Sequence, residues 1–156
     1  MSALSRVIFM CGPSGSGKST YARRLEREGM IRLSFDVEMW RRGISAVPLP
    51  PDVRDEVEAG LRARLLELVA AGTDVVLDFS FWSRRMRGDY RKLLEPSGVV
   101  PETIYLATDR QTVLSRMRTR RGSHSDDYVL TEELVAQYFD HFEPPTPDEG
   151  PLKVIR

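Results

Sequence analysis

Cysteine is almost missing from this chain. Cys11 is the only one in 156 residues, so no disulfide can form within it. A reducing cytoplasm is the expected setting. Histidine is nearly as scarce. His124 falls in a polar stretch and reads as solvent-exposed, while His141 falls on an amphipathic helical pattern and reads as structural. The two are too isolated to suggest a metal site. Net charge is also lacking, with Lys plus Arg at 23 and Asp plus Glu at 23. The global charge therefore offers no argument for nucleic acid, although arginines crowd locally at 84–92 and 116–121. No apolar run approaches the ~18 residues that a membrane span needs. The first apolar run is interrupted by Gly12 and Pro13, so no signal peptide is expected. Internal repeats and low-complexity segments are absent. What remains is ordinary for a soluble globular chain, at 41% hydrophobic and 29% charged residues. Its length suits one domain over residues 1–156.

Against those absences, one stretch carries a strong signal. Gly12-Pro13-Ser14-Gly15-Ser16-Gly17-Lys18-Ser19-Thr20 fits the spacing G-x-x-x-x-G-K-[ST] of a phosphate-binding loop. The motif has meaning only between a strand and a helix. Arg6-Val7-Ile8-Phe9-Met10-Cys11 reads as a buried strand before it, and the residues from Thr20 read as a helix after it. The glycines let successive N–H groups turn inward toward phosphate oxygens. Lys18 adds a positive charge for the β- and γ-phosphates, and Ser19 a hydroxyl for Mg²⁺.

The rest of the chain alternates strands and helices. Strands are expected at 5–11, 31–35, 74–79, 102–107 and 152–155, and helices at 18–28, 37–42, 83–95, 110–120 and 132–142. A further helix opens at Asp52 as its cap and carries Val53, Val57, Leu61, Leu65 and Leu68 as a core stripe. Alternation of this kind predicts an α/β fold with a parallel sheet. Ligands then gather at the carboxyl ends of the strands. The loop at 12–20, Asp36, the 78–82 segment and Asp109 all fall just past an expected strand end.

Asp36 closes an apolar run and can accept a proton from an attacking hydroxyl; a capping or turn aspartate is the competing reading, and Glu38 the competing base. Asp78 closes Val75-Val76-Leu77 in the manner of a Walker B strand, either holding Mg²⁺ or bonding the phosphate loop as a structural aspartate. Arg116, Arg118, Arg120 and Arg121 crowd one helix end beside the polar 122–127 loop. They read as a lid over about 116–130 closing on a triphosphate, or as a solvated basic face. Trp82 and Arg85 form one candidate acceptor wall, with Phe79, Phe81, Arg84 and Arg87 nearby. Trp40 and Arg41 form another.

With these residues laid out, the chain resembles the small AAA-type P-loop kinases, a group that includes chloramphenicol phosphotransferase, zeta-toxin-type kinases and the kinase domain of polynucleotide 5′-kinase. The resemblance runs through Gly12–Thr20, Phe35-Asp36, Val75–Asp78 with Phe81–Arg84, Tyr105-Leu106, Arg116–Arg121 and Phe142–Pro147. It implies a three-layer P-loop NTPase fold with five parallel strands ordered 2-3-1-4-5, and ATP with Mg²⁺. It implies Asp36 as the base, arginine at the phosphates from Arg116, Arg120 or Arg121, and the proline-rich 143–147 loop near the adenine. One departure stands out. Polynucleotide kinases of this type carry an arginine shortly after the base, whereas Val37, Glu38 and Met39 follow Asp36 here and arginine returns only at 41.

The expected activity is transfer of the γ-phosphate of ATP to a hydroxyl of a small molecule such as an antibiotic, a nucleoside or a sugar. Lys18, Asp36, Arg116, Arg120 and Arg121 are its expected catalytic residues, with Ser19 and Asp78 at the metal. A polynucleotide 5′-hydroxyl kinase is one alternative. A nucleotide-binding switch without transfer is the other, and an acceptor base such as Asp36 argues against it.

Overall fold

A computed structural model describes residues 5–12, 17–44, 50–79, 81–119, 133, 137 and 140–155. Its elements are β1 (Val7–Cys11), α1 (Lys18–Arg27), β2 (Ile31–Ser34), α2 (Phe35–Arg41), α3 (Pro51–Ala70), β3 (Val75–Asp78), α4 (Arg84–Leu94), β4 (Glu102–Leu106), α5 (Arg110–Thr119) and β5 (Leu152–Ile155). The five strands form one sheet in the order β2-β3-β1-β4-β5, all parallel. The architecture is the expected one for a P-loop NTPase of the nucleotide-kinase type.

The central strand explains why the sheet is buried on both sides. Every residue of β1 is buried. Successive side chains of a strand point to opposite faces. Val7, Phe9 and Cys11 therefore join one core with α3 and α4, while Ile8 and Met10 join a second core with Ala22 and Leu25 of α1. A strand covered on both faces needs an unbroken apolar run, which is what the sequence has there. On α3, Val57, Leu61, Leu65 and Leu68 are buried, as their helical spacing requires. Burying a side chain of that size stabilises the fold by roughly 1.5–3 kcal/mol.

Several boundaries differ from expectation for identifiable local reasons. Ser34 caps α2 by accepting a hydrogen bond from Val37 N–H at 3.2 Å. Strand β2 therefore stops at Ser34, and Phe35 and Asp36 are already helical. Asp52 is not the cap of α3. Pro50 and Pro51 start that helix, because the fixed φ of proline suits a first helical position. Asp109 caps α5, accepting from Thr112 N–H and Thr112 Oγ at 2.9 Å each, so its carboxylate is committed to the helix start. His141 is exposed, and its ring nitrogen Nδ1 is hydrogen-bonded to the Gln137 carbonyl at 2.7 Å. Of the expected last helix, Leu134, Val135 and Tyr138 lie outside the described residues.

The Arg-rich start of α4 has a specific employment. Arg84, Arg87 and Arg91 recur at helical spacing and face the segment leading to β5. Arg84 meets Asp148 at 2.5 Å and Thr146 Oγ1 at 3.2 Å. Arg87 Nε meets Glu149 at 2.8 Å, and Arg91 meets the same carboxylate at 3.4 Å. The Arg87 side chain is 0% exposed and that of Glu149 is 3% exposed. Glu149 also accepts from Thr146 N–H in a capping box around a short turn at Pro147–Glu149. Glu143, at the head of the same segment, donates its N–H to the Trp82 carbonyl at 2.7 Å. The 143–149 stretch is thus laced to α4 and to the loop before it.

Burial alone would raise the Glu149 carboxyl, but hydrogen bonds from Arg87 and the Thr146 backbone outweigh it and hold its pKa at about 2. A folded value below the ordinary 4.5 stabilises the fold fully above that ordinary value and ceases to do so as pH falls through about 2. Glu149→Gln should cost about 3–5 kcal/mol at neutral pH, since it leaves the buried Arg87 charge without its partner. Urea unfolding from pH 7 down to pH 2 should show a shallower acid loss in the variant than in wild type. Equal slopes would mean that Glu149 is not a source of the acid sensitivity.

Candidate active site

Three neighbouring strand ends build the site. Strand β1 runs into Gly12, which opens the phosphate loop, and α1 begins on its far side at Lys18. Pro13, Ser14, Gly15 and Ser16 lie outside the described residues. Gly17 has φ of 96°, a left-handed conformation in which a β-carbon would be strained. It precedes α1 without any side-chain cap, so the first N–H groups of the helix are not taken up by a capping side chain. That end of a helix carries partial positive charge and suits phosphate oxygens. Lys18 and Ser19 are only 7% and 9% exposed, so both polar groups are set inside the fold. Thr20 is exposed.

Strand β3 delivers Asp78, paired in register with Ser34 of β2. One oxygen of Asp78, Oδ2, accepts from Arg32 Nε at 3.1 Å and Arg32 Nη2 at 2.9 Å. The other, Oδ1, is buried and has no hydrogen-bond partner among the described residues. A carboxylate oxygen in that condition is costly unless something meets it. Among the described residues, Arg32 is what anchors Asp78. Ser19 Oγ and Asp78 Oδ1 are hard oxygen donors of the kind Mg²⁺ takes. No group of three or more metal-type side chains gathers among the described residues. Magnesium fits this set, because it keeps waters and phosphate oxygens and needs only one or two protein ligands.

Strand β2 and its cap deliver Asp36 and Glu38 on the first turns of α2. Glu38 is engaged by Arg41 at 3.3 Å and by Arg42 at 3.0 Å. Trp40 follows Asp36 by one helical turn, which places them on one face of α2. Trp40 is 49% exposed and Trp82 is 44% exposed, both unusually open for so large an apolar ring. The remaining aromatics of the 79–82 segment are not acceptor contacts. Phe79 and Phe81 are buried in the core with Phe9 and Tyr90. Phe81 stacks on Phe9 with ring centroids 4.3 Å apart.

Phe81 has φ of +50°, a conformation that costs a bulky residue on the order of 1–2 kcal/mol. The surroundings hold it there. Its carbonyl accepts from Arg87 Nη1 at 2.7 Å and from Cys11 Sγ at 3.5 Å. The reversal at Phe81 sends the chain outward and leaves Trp82 at the rim. Of the nearby arginines, Arg41, Arg42 and Arg84 meet carboxylates, whereas Arg85 is exposed and meets none among the described residues. Arg116 lies on α5, and Arg120 and Arg121 lie outside the described residues.

A family model for the AAA domain matches residues 7–145. The chain belongs to this AAA domain family. A comparison with curated proteins found no match. Among solved structures, a chain of the Pnkp1/Rnl/Hen1 RNA repair complex superposes with a TM-score of 0.78 at 15% identity, over 90% of this chain and 45% of that one. This chain therefore spans less than half the length of that relative. Kti12 from Chaetomium thermophilum, in complex with ADP-AlF3, superposes with a TM-score of 0.70 at 15% identity, over 96% of this chain and 88% of the other. A sugar kinase from a Janibacter species gives 0.66 at 23% identity, over 97% and 84%. At these identities the likeness is one of fold, that of the small AAA-type P-loop kinases.

Within this AAA domain, two residues of the site escape a reading by motif. Arg32 had a signal, being the one charged residue inside the apolar run Ile31-Arg32-Leu33. Arg87 had a weaker one, its helical spacing from Arg84 and Arg91. Cys11, beneath the phosphate loop, is a core residue. Burial pushes its thiol up to about 12, with Arg87 pulling the other way. Native protein at pH 8 should consume almost no Ellman's reagent over minutes, and one equivalent after unfolding. Rapid labelling of the native chain would place Cys11 in contact with solvent.

Proposed function

We propose that the protein is an ATP-dependent phosphotransferase that moves the γ-phosphate to a hydroxyl of a small molecule, with Asp36 as general base. One observation carries the choice of base. The competing carboxylate, Glu38, is committed to Arg41 and Arg42, and Ser34 takes the cap of α2. Asp36 then stands at the carboxyl end of the sheet, beside the strand that ends in Asp78 and one strand removed from the phosphate loop. Ligands of open α/β sheets collect there.

The chemistry asks little covalent work of the protein. The phosphate loop and Lys18 hold the triphosphate, and Ser19 and Asp78 supply oxygens for its Mg²⁺. The bound ion would neutralise charge on the β- and γ-oxygens. The Asp36 carboxylate takes the proton of the acceptor hydroxyl. The freed oxygen bonds to the γ-phosphorus as the bond to the β-phosphate oxygen breaks, and ADP leaves. Arg116, Arg120 and Arg121 would supply positive charge to the transferred phosphoryl group. Trp40 and Trp82 offer flat apolar walls for a ring-shaped acceptor, and Arg85 offers a charge for an anionic one. Arg41 is turned to Glu38 and contributes less to that wall.

With γ-labelled ATP and a panel of sugar, nucleoside and antibiotic acceptors, Asp36→Asn should lower kcat at least about 100-fold, whereas Glu38→Gln should leave it near wild type. Transfer by the Asn variant at the wild-type rate would remove Asp36 from the role. The likeness to the RNA repair chain favours a second reading, in which the acceptor is the 5′-hydroxyl of a nucleic acid. Labelling of a 5′-hydroxyl oligonucleotide with no labelling of the small acceptors would decide for it.

Trp40 and Trp82 are the only two tryptophans. A true acceptor should therefore change intrinsic fluorescence, and Trp40→Phe and Trp82→Phe should each remove part of the change. A signal that survives intact in both variants would clear the two rings of acceptor contact.

A further inference from the structure

The pair Arg32–Asp78 has a geometry that a merely structural ion pair does not need. Both side chains are withdrawn from solvent, at 8% and 1% exposure. An arginine beside a carboxylate commonly meets both oxygens with two parallel N–H bonds. Arg32 instead places Nε and Nη2 on the single oxygen Oδ2, at 3.1 and 2.9 Å. Oδ1 is left buried with nothing to accept from among the described residues. Leaving one oxygen of a buried carboxylate unmet is unfavourable, because the water it gave up is not replaced.

The fold shows where that oxygen can be used. Arg32 pairs in register with Val76, and Ser34 with Asp78. Residues two apart share a face of the sheet, so Arg32, Val76 and Asp78 lie on one face. Val76 belongs to the core shared with Ala22 of α1, which identifies that face as the one under α1. Ser19 precedes Ala22 by one turn on α1 and is buried with it. Asp78 is therefore under the first turn of α1, on the side of Ser19. Arg32 comes from β2, on the side of β3 away from β1 and the phosphate loop.

We infer that Arg32 is a positioning residue, which grips Asp78 by Oδ2 so that Oδ1 alone is presented, in a fixed rotamer, to the Mg²⁺ of the bound nucleotide. The inference rests on the reading above in which Ser19 and Asp78 serve that ion. A guanidinium suits the task because it stays charged and its planar N–H groups fix direction as well as distance.

The test is the Mg²⁺ dependence of ADP binding, measured by titration calorimetry with Mg²⁺ and with EDTA. For wild type, Mg²⁺ should tighten ADP by about tenfold, a coupling of ordinary size. Asp78→Asn should abolish that gain. Arg32→Met should reduce it to less than about twofold on the same coupling scale while leaving ADP affinity in EDTA unchanged. Arg32→Lys keeps a cation beside Asp78, preserves the fold if Met does not, and should still lose most of the gain, because one mobile ammonium cannot fix the rotamer. If Arg32→Lys retains the full wild-type gain while Asp78→Asn loses it, Arg32 only ties β2 to β3 and the inference fails. If Asp78→Asn itself retains the gain, the metal reading of Asp78 fails, and the role of Arg32 with it.

Discussion

The Arg87 guanidinium is the interaction on which the rest of the site depends. It is completely buried, and a bare buried charge would be prohibitive. Its cost is offset because it donates to Glu149 on one side and to the Phe81 carbonyl on the other. Those two contacts join α4, the loop after β3 and the segment before β5. Phe81 can hold a left-handed backbone only because its ring is clamped by Phe9 and Tyr90 and its carbonyl is fixed by Arg87. The same reversal determines that Phe79 faces the core while Trp82 stands at the rim. A polar network of this kind is favourable only when it is fully met, and the Glu149 carboxylate, shared among Arg87, Arg91 and Thr146, completes it.

A second buried pair divides its labour differently. Arg87 and Glu149 satisfy each other, whereas Arg32 satisfies half of Asp78. The first pair is architecture. The second leaves a polar atom unmet at the point where the fold brings the strand ends, the uncapped start of α1 and Ser19 together. The three aspartates that the sequence places after strands thus have three fates. Asp109 caps a helix, Asp78 is gripped from a neighbouring strand, and Asp36 is relieved of capping by Ser34.

Much of the fold was legible in the chain. The run from Val7 to Cys11 had to be buried on both faces because it has no polar alternation, and the stripe on α3 had to face the sheet. The phosphate loop was legible because its glycines and its Lys18-Ser19 pair have fixed spacing. The boundaries were less so. Ser34 and Asp36 are both good caps, and nothing local decides between them. Asp52 looked like a cap because the competing proline start at Pro50-Pro51 had been read as loop. The structural role of Arg84 and Arg87 was not legible beside the candidate acceptor wall, since their partners lie about 60 positions further along.

By itself, then, the sequence determined the alternation of elements, the phosphate loop and the set of candidate acids, because each depends on spacing within a few residues. Only the tertiary structure decided which of those acids are taken up by helix caps and ion pairs and which arginines are buried struts. It alone turned Phe81 inward and Trp82 outward, and paired Arg32 with one oxygen of Asp78. Those outcomes depend on which strands become neighbours and on whether a distant partner arrives to meet a buried charge. No local pattern records that choice, because burial and pairing energies act between segments far apart in the chain.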